Sequence, residues 1–397
     1  MIEVAGRAVS ASARRERATP HALAFVRRLD WVLIAAAAAL VAYGLWVVDG
    51  ITRFDVAGDE NHFVTRQAIA AGLGVCGMVV AAIAPLDLVR RRWLVLYGTT
   101  LALMVVVFAV AETVRGSKRW IDLGPFQFQP SELGKVLFVL ALAGFLVERA
   151  GKVTRWRTIA TAMALGLAPI LLVFLQPDLG TALVYAAALF AVLFFAGVRW
   201  RQLLVLFVIA VVAGLSVLWL LPSAGVEVLK PYQAKRVTGF FDRDLDPGGL
   251  TWNVNQSITA VGSGGLDGRG VIEASQTRLD YLPEHATDFA FASLAEQRGF
   301  VGSSILLLLY LLVVWRGLRV VTVAGDLFGA VVAGGLVFAF LFQVFVNVGM
   351  TMGLAPVTGI PLPFVTVGGS SMVANLVLIG VLQGIHARGR TTGSAFK

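Results

Sequence analysis

Cysteine and histidine are nearly missing from this sequence. It has a single cysteine, Cys76, inside an apolar run, and four histidines, His21, His62, His285 and His386, far apart along the chain. A disulfide framework needs pairs, and neither a cysteine-held metal nor a histidine cluster matches these spacings. Charge is also scarce, at 14% of residues against 58% hydrophobic, and mean hydropathy is +0.81. A water-soluble globular domain is thereby excluded. Disorder, collagen and coiled coil fail on the same composition, which is rich in Val, Leu, Ile and Phe and has no heptad or Gly-X-Y period. What remains is a membrane protein. The segment through Pro20 holds Arg14, Arg15 and Arg17 but no A-x-A cleavage site, so it reads as a retained cytoplasmic tail. The net charge of +9 does not point to nucleic acid, because the basic residues fall between apolar runs and form no face with aromatic readers.

A bilayer core takes about 20 apolar residues per helix. Such runs occur near 31–48, 67–86, 93–111, 132–147, 158–176, 179–198, 202–221, 289–315, 327–350 and 366–387. The expected fold is therefore an all-α polytopic membrane protein of ten transmembrane helices. Residues 1–30 form an N-terminal tail, 31–388 the membrane domain and 389–397 a C-terminal tail. Alternating the spans puts 20 Lys and Arg on the side of the termini and 11 on the other, with Lys135 and Arg298 inside spans. Basic excess marks the cytoplasm, so both termini are expected inside the cell membrane. The long connection between spans seven and eight, 222–287, is then extracytoplasmic. It is polar and glycine-rich, far longer than an ordinary loop, and long loops in compact domains are commonly functional.

Ionisable groups within spans are costly and hence functional candidates. Glu132 and Lys135 stand three apart on one helical face, either as an interfacial pair or as part of a site. Asp288, Glu296 and Arg298 fall at or in span eight, where Asp288 could equally cap the helix. Asp178, after Pro177, is placed to cap span six. Gln343 and Asn347 suit interhelical hydrogen bonds or substrate contact alike. PVTGIPLPF, 356–364, has three prolines and cannot be regular helix, so a folded outer loop should abut the last span. The run GSGGLDGRG, 262–270, has GxGxxG-like spacing but no preceding strand and no GK[ST], which leaves a flexible turn or an anion cradle.

Five separated blocks then agree with one family: RWIDLGPFQFQPSELGK at 119–135, QPDLGTAL at 176–183, NQSITAVGSGGLDGRG at 255–270, LPEHATDF at 282–289 and GLAPVTGIPLPFVTVGGSS at 353–371. The chain resembles the SEDS proteins of shape, elongation, division and sporulation, most like their RodA branch, with the FtsW division branch as near alternative. The resemblance implies a bacterial plasma-membrane peptidoglycan glycosyltransferase that polymerises lipid II beside a class B penicillin-binding protein. The family's essential acid falls on Asp288. Where the family usually reads PE, any residue, HTDF, this chain has Pro283-Glu284-His285-Ala286-Thr287-Asp288-Phe289, with the histidine displaced by one position.

The implied reaction takes an α-linked pyrophosphate to a β1,4 bond, so one displacement inverts the anomeric carbon. It needs a base for the acceptor hydroxyl and positive charge for the departing pyrophosphate. Asp288 suits the base. Arg119 and Lys135 lead the cationic candidates, followed by Lys235, Arg236 and Arg269, with Glu132 and Ser370 completing the substrate-binding set. No metal ligand set is evident. A divalent cation, Mg or Mn, is a second way to hold the pyrophosphate, with Glu132 and Asp288 as its carboxylates, although no spacing rule links them. Two rivals are a flippase for the lipid-linked precursor, its path lined by Glu132, Lys135, Glu296 and Arg298, and a non-catalytic scaffold for the transpeptidase. Small residues in spans eight and nine, Gly302, Ser303, Ser304, Gly329, Gly334 and Gly335, are expected to let a partner helix approach.

Overall fold

The computed structural model describes residues 21–111, 119–122, 127–226, 233, 234, 236, 239, 240 and 250–394. Lys235, residues 1–20 and part of the long connection lie outside them. After a short helix α1 (His21–Arg28) come α2 (Trp31–Thr52), α3 (His62–Ile83), α4 (Leu86–Arg91) and α5 (Trp93–Val110). A two-stranded hairpin, β1 (Ile121–Asp122) and β2 (Gln127–Phe128), precedes α6 (Pro130–Val147). Then follow α7 (Trp156–Leu175), α8 (Leu179–Phe195), α9 (Trp200–Leu215), α10 (Leu250–Ser263), α11 (Gly270–Glu273), α12 (Ser275–Arg278), α13 (Ala290–Val323), α14 (Leu327–Thr351) and α15 (Gly369–Ser394).

Among the described residues, nine helices are long and apolar enough to cross a bilayer. The all-α membrane architecture stands. The remaining expected span is α8, an apolar helix of 17 residues. At 1.5 Å per residue it reaches about 26 Å, short of a hydrocarbon core of about 30 Å. It stops at Ala196 because Gly197 turns left-handed, at φ +90°. Helix ends elsewhere follow local chemistry: α3 ends before Pro85, and α6 begins with Pro130 in its first turn.

Side-chain and backbone bonds sort the connections into two sets. At one end, Arg316 Nη2 meets Asp30 Oδ2 at 2.6 Å, Gln383 exchanges bonds with the Asp30 backbone, and Gln202 Nε2 donates to Thr154 O. At the other, the connections after α2, α5, α7 and α14 and the long one before α13 are bonded to one another. Helices α6, α14 and α15 form the buried centre, whereas α9 is almost wholly exposed, as a lipid-facing helix is. In the central helices the apolar surface runs round the whole circumference, so hydrophobic periodicity cannot mark a core face.

The glycine run of the long connection is not a flexible turn. Helix α13 is broken at Gly299, where φ +63° and ψ −161° belong to a region that only glycine readily occupies. Backbone of the run fills the break: Arg269 N–H donates to Glu296 O, Phe300 N–H to Gly265 O and Val301 N–H to Leu266 O, at 2.9, 2.9 and 3.1 Å. A Cβ on Gly299 would collide with Gly268 N and Leu266 O, and one on Gly264 with Ala295 O. These glycines permit backbone to lie on backbone. Glu296, expected as a path residue in the transport reading, is fully buried and accepts from Gln276 N–H, Thr277 N–H and Thr277 Oγ1.

The small residues of spans eight and nine also serve the chain itself. A Cβ on Gly334 would strike the Phe195 ring, one on Gly335 the Val192 side chain, and one on Gly302 the Arg298 side chain. At Gly334 and Gly335 the close approach is thus made by α8 of the same chain.

Candidate functional site

The second set of connections encloses a polar cavity of about 530 Å³. Asp288, Glu284 and Thr287 reach it from the turn before α13, and Arg119, Trp120 and Gln127 from the hairpin. Gln129 stands before α6 and Asp178 before α8, while Arg236 comes from the long connection, Gly359 to Gly368 from the stretch after α14 and Ser371 from the first turn of α15. The hairpin explains why the 119–135 block is dense. Pairing of Ile121 with Phe128 brings Arg119 and Gln129 to one edge.

The turn that carries Asp288 is fixed carbonyl by carbonyl. Ser293 Oγ donates to His285 O at 3.3 Å, Val367 N–H to Ala286 O at 3.0 Å, Thr366 Oγ1 to Thr287 O at 3.0 Å, and Asn347 Nδ2 to Asp288 O at 3.1 Å. Four consecutive acceptors are held from α13, the 366–367 turn and α14, which leaves the Asp288 side chain little choice of direction. Asp288 immediately precedes Phe289, the N-cap position of α13. Asn347 also donates to Ile360 O at 2.8 Å, so it is an interhelical brace. The proline-rich stretch is irregular as expected, but it is buried: Tyr310 Oη donates to Pro363 O, and Gln67 clamps the stretch by donating to Thr366 O and accepting from Gly368 N–H. Irregular backbone at that depth is tolerated because protein groups satisfy it.

Gly359 sits at φ +72°, and a Cβ there would lie 3.3 Å from Arg236 Nη1 and 3.5 Å from Asp288 Oδ2. The absence of a side chain therefore keeps open the space that a base and a cation share. Arg119 is positioned as well as charged. Its Nε donates to Gln176 O at 3.2 Å, Nη2 to Pro177 O, and Nη1 stands 3.5 Å from Asp178 Oδ2. Asp178 does cap α8, accepting from Thr181 N–H at 3.0 Å, and it also accepts from Thr181 Oγ1 and Gln129 Nε2.

Other sequence candidates lie elsewhere. Lys135 Nζ bonds both oxygens of Glu132 at 2.9 Å in the packed interior, where the carboxylate side chain is 1% exposed, and neither residue lines the cavity. The pair is buried, not interfacial. Arg269 points away, its Nε donating to Ser263 O. Ser370 is a clasp: it accepts from Gln129 N–H at 2.7 Å and donates to Gln127 O at 2.9 Å, tying the hairpin to α15, while Ser371 beside it lines the cavity. Sequence reasoning passed over Gln129, Glu284, Thr287 and Gly359. The only signal for them was membership in the motif blocks.

Among the described residues no group of three or more His, Cys, Asp or Glu side chains is arranged to hold an ion, and the Glu132 carboxylate is taken by Lys135.

Comparison with known proteins places the whole chain. A family model described as "Cell cycle protein", covering FtsW, RodA and SpoVE, matches residues 27–391. The chain is 38% identical over 348 residues to the peptidoglycan glycosyltransferase MrdB of Escherichia coli strain K12, covering 87% of this chain and 92% of that protein. To stage V sporulation protein E of Bacillus subtilis strain 168 it is 36% identical over 372 residues, covering 91% and 98%. Among solved structures, a chain of a peptidoglycan synthase complex coordinating polymerization and crosslinking matches with TM-score 0.75 at 33% identity, covering 91% and 98%. The rod shape determining protein RodA of Thermus thermophilus matches with TM-score 0.65 at 31% identity, covering 90% and 96%. The sequence blocks, the bundle that brings four of the five to one cavity and the family match together establish that this chain belongs to the SEDS family of FtsW, RodA and SpoVE proteins.

Proposed function

We propose that the chain is a peptidoglycan glycosyltransferase that polymerises lipid II in cell-wall elongation, with Asp288 as general base. The observation that carries this reading is the convergence of Asp288, Arg236 and Arg119 on one cavity of about 530 Å³. Small-molecule sites commonly measure roughly 300–1,000 Å³, so the space suits sugar rings and a diphosphate, with the lipid tail left outside. In the reaction the acceptor 4-hydroxyl oxygen attacks the donor's anomeric carbon on the face opposite the pyrophosphate. The proton goes to the Asp288 carboxylate, the C–O bond to phosphate breaks, and the lipid pyrophosphate departs with the electron pair. Arg236 and Arg119 stabilise the charge that develops there, and a guanidinium's planar fork matches phosphate oxygens.

The cavity faces outward in this reading, since the 20 to 11 excess of basic residues places both termini in the cytoplasm. A class B penicillin-binding protein is the crosslinking partner. The likeness to a synthase complex that coordinates polymerization and crosslinking supports it. The flippase alternative loses its path, because Glu132 and Lys135 bond each other, Glu296 is tied into the long connection, and Arg298 stacks 4.0 Å over Trp46. Purified protein given lipid II in detergent, with no membrane to cross, is expected to form glycan polymer. Absence of polymer with a monodisperse protein, alone and with the transpeptidase added, overturns the enzymatic reading.

A further inference from the structure

The displaced histidine has a place of its own. Hydrogen bonds to its backbone carbonyls hold the Asp288 turn on the side of α13, α14 and the 366–367 turn. On the side of α2, the hold is a side chain: His285 Nε2 stands 3.1 and 3.2 Å from the two carboxylate oxygens of Asp55, in the connection after α2. Its Nδ1 is buried, makes no hydrogen bond of ordinary length, and faces Asp280 Oδ1 at 3.6 Å. A neutral imidazole that donates through Nε2 turns its Nδ1 lone pair toward the second carboxylate, which is repulsive. An imidazolium donates at both nitrogens and meets negative charge at both.

We propose that His285, as the imidazolium, is a positioning residue that bridges Asp55 and Asp280 and holds the turn presenting Asp288 to the cavity. The inference rests on the proposed glycosyltransferase reading for its effect on rate, and on geometry alone for the bridge. The charged groups that face the ring are Asp55 from the α2–α3 connection and Asp280 from its own connection, while α13 and the 366–367 turn present Ser293 and Val367, which do not titrate. Burial pulls the imidazole's pKa down, but the hydrogen bond and charge of Asp55, the charge of Asp280 and the backbone at Leu282 outweigh it, so it stands above the ordinary 6.5. For a group whose pKa is raised on folding, the stabilisation is complete below the unfolded value and fades as pH rises through the folded one. The bridge is therefore whole below the ordinary histidine value of about 6.5 and is lost as pH rises through the raised one. Other contacts between α2 and α13 do not depend on it, since Tyr43 Oη donates to Gly302 O and Gln297 Nε2 to Gly50 O.

Two readouts test the bridge in purified full-length protein. In the first, kcat/KM for lipid II polymerisation is followed from about pH 5.5 to 9, the range in which a histidine titrates. The wild type is expected to lose about tenfold along an alkaline limb, the scale of one charge-assisted hydrogen bond. His285→Gln is expected to lack the limb and stay near the wild type's alkaline rate, and Asp55→Asn to move the limb to lower pH. In the second, histidine ring resonances of isotope-labelled protein in nanodiscs are titrated, which reads the bridge without reference to activity. The signal lost in His285→Gln should titrate above 6.5 in the wild type and lower in Asp55→Asn. Should His285→Gln fail to fold, the Asp55→Asn shift decides both readouts. A limb that neither variant moves, or a His285 ring that titrates at or below 6.5, overturns the proposal while leaving polymerisation intact. A protein with no polymerase activity refutes the function instead, and the ring titration still judges the bridge.

Discussion

Replacing Asp288 by asparagine separates chemistry from architecture at this site. The carbonyl of residue 288 is held by Asn347 Nδ2 at 3.1 Å, and that bond survives the substitution. The carboxylate opens on the cavity beside Gly359 and lies next to the first turn of α13, whose cap position is Phe289. Removing a negative charge from a helix N-terminus weakens stability by about 0.3–1 kcal/mol, and by up to about 2 kcal/mol where the group is partly buried. Removing a general base lowers the rate by about 10²- to 10⁴-fold, equivalent to roughly 2.7–5.4 kcal/mol of barrier at about 1.36 kcal/mol per decade. The effect on rate should thus exceed the effect on stability. Glycan polymer formed from lipid II by purified Asp288→Asn, measured beside its melting temperature, is the deciding assay. Asp288→Glu keeps the charge one methylene away, so partial activity there indicates a loosely placed charge. Polymerisation at the wild-type rate by a folded Asp288→Asn protein would falsify the assignment of the base. Gross unfolding would contradict the placement of the carboxylate toward the cavity.

The Glu132–Lys135 pair should behave as structure. Lys135→Ala strands a buried carboxylate and is expected to lower stability by about 3–5 kcal/mol, with Glu132→Gln/Lys135→Met recovering most of it; an unchanged melting temperature in Lys135→Ala would return both residues to the candidate site. At the helix break, Gly299→Ala meets both a forbidden conformation and backbone atoms of Gly268 and Leu266, so a loss of at least about 2 kcal/mol is expected. Gly262→Ala, where a Cβ meets nothing within 4 Å, is the matched control, and equal melting temperatures in the two variants would disprove the docking account. For orientation, single cysteines at Glu273 and Ser394 in a Cys76→Ala background are exposed to a membrane-impermeant thiol reagent on intact cells. Labelling is expected at 273 and not at 394, and the reverse pattern sinks the outward-facing cavity.

Much of the architecture follows from composition and chain-local chemistry. Apolar runs of a bilayer's length define helices wherever they occur, since lipid leaves backbone groups no other partners. Boundaries at Pro85, Pro130 and Gly197 likewise answer to backbone rules that act within a few residues. Asp288 was legible from its motif, and the capping role of Asp178 from its place after Pro177. Tertiary structure alone decided which polar residues share a space. Arg119 and Asp178 lie in separate blocks, and Arg236 lies outside all five, far from Gly359 in the chain; they meet because the connections at one end of the bundle are bonded to one another. The same fold turned Lys135 inward onto Glu132 and Ser370 into a clasp, neither of which spacing along a helix could distinguish from substrate contact. It also gave the glycine run its meaning, because a break at Gly299 that must be filled by passing backbone is a demand made across the chain, and local sequence carries no trace of its partner.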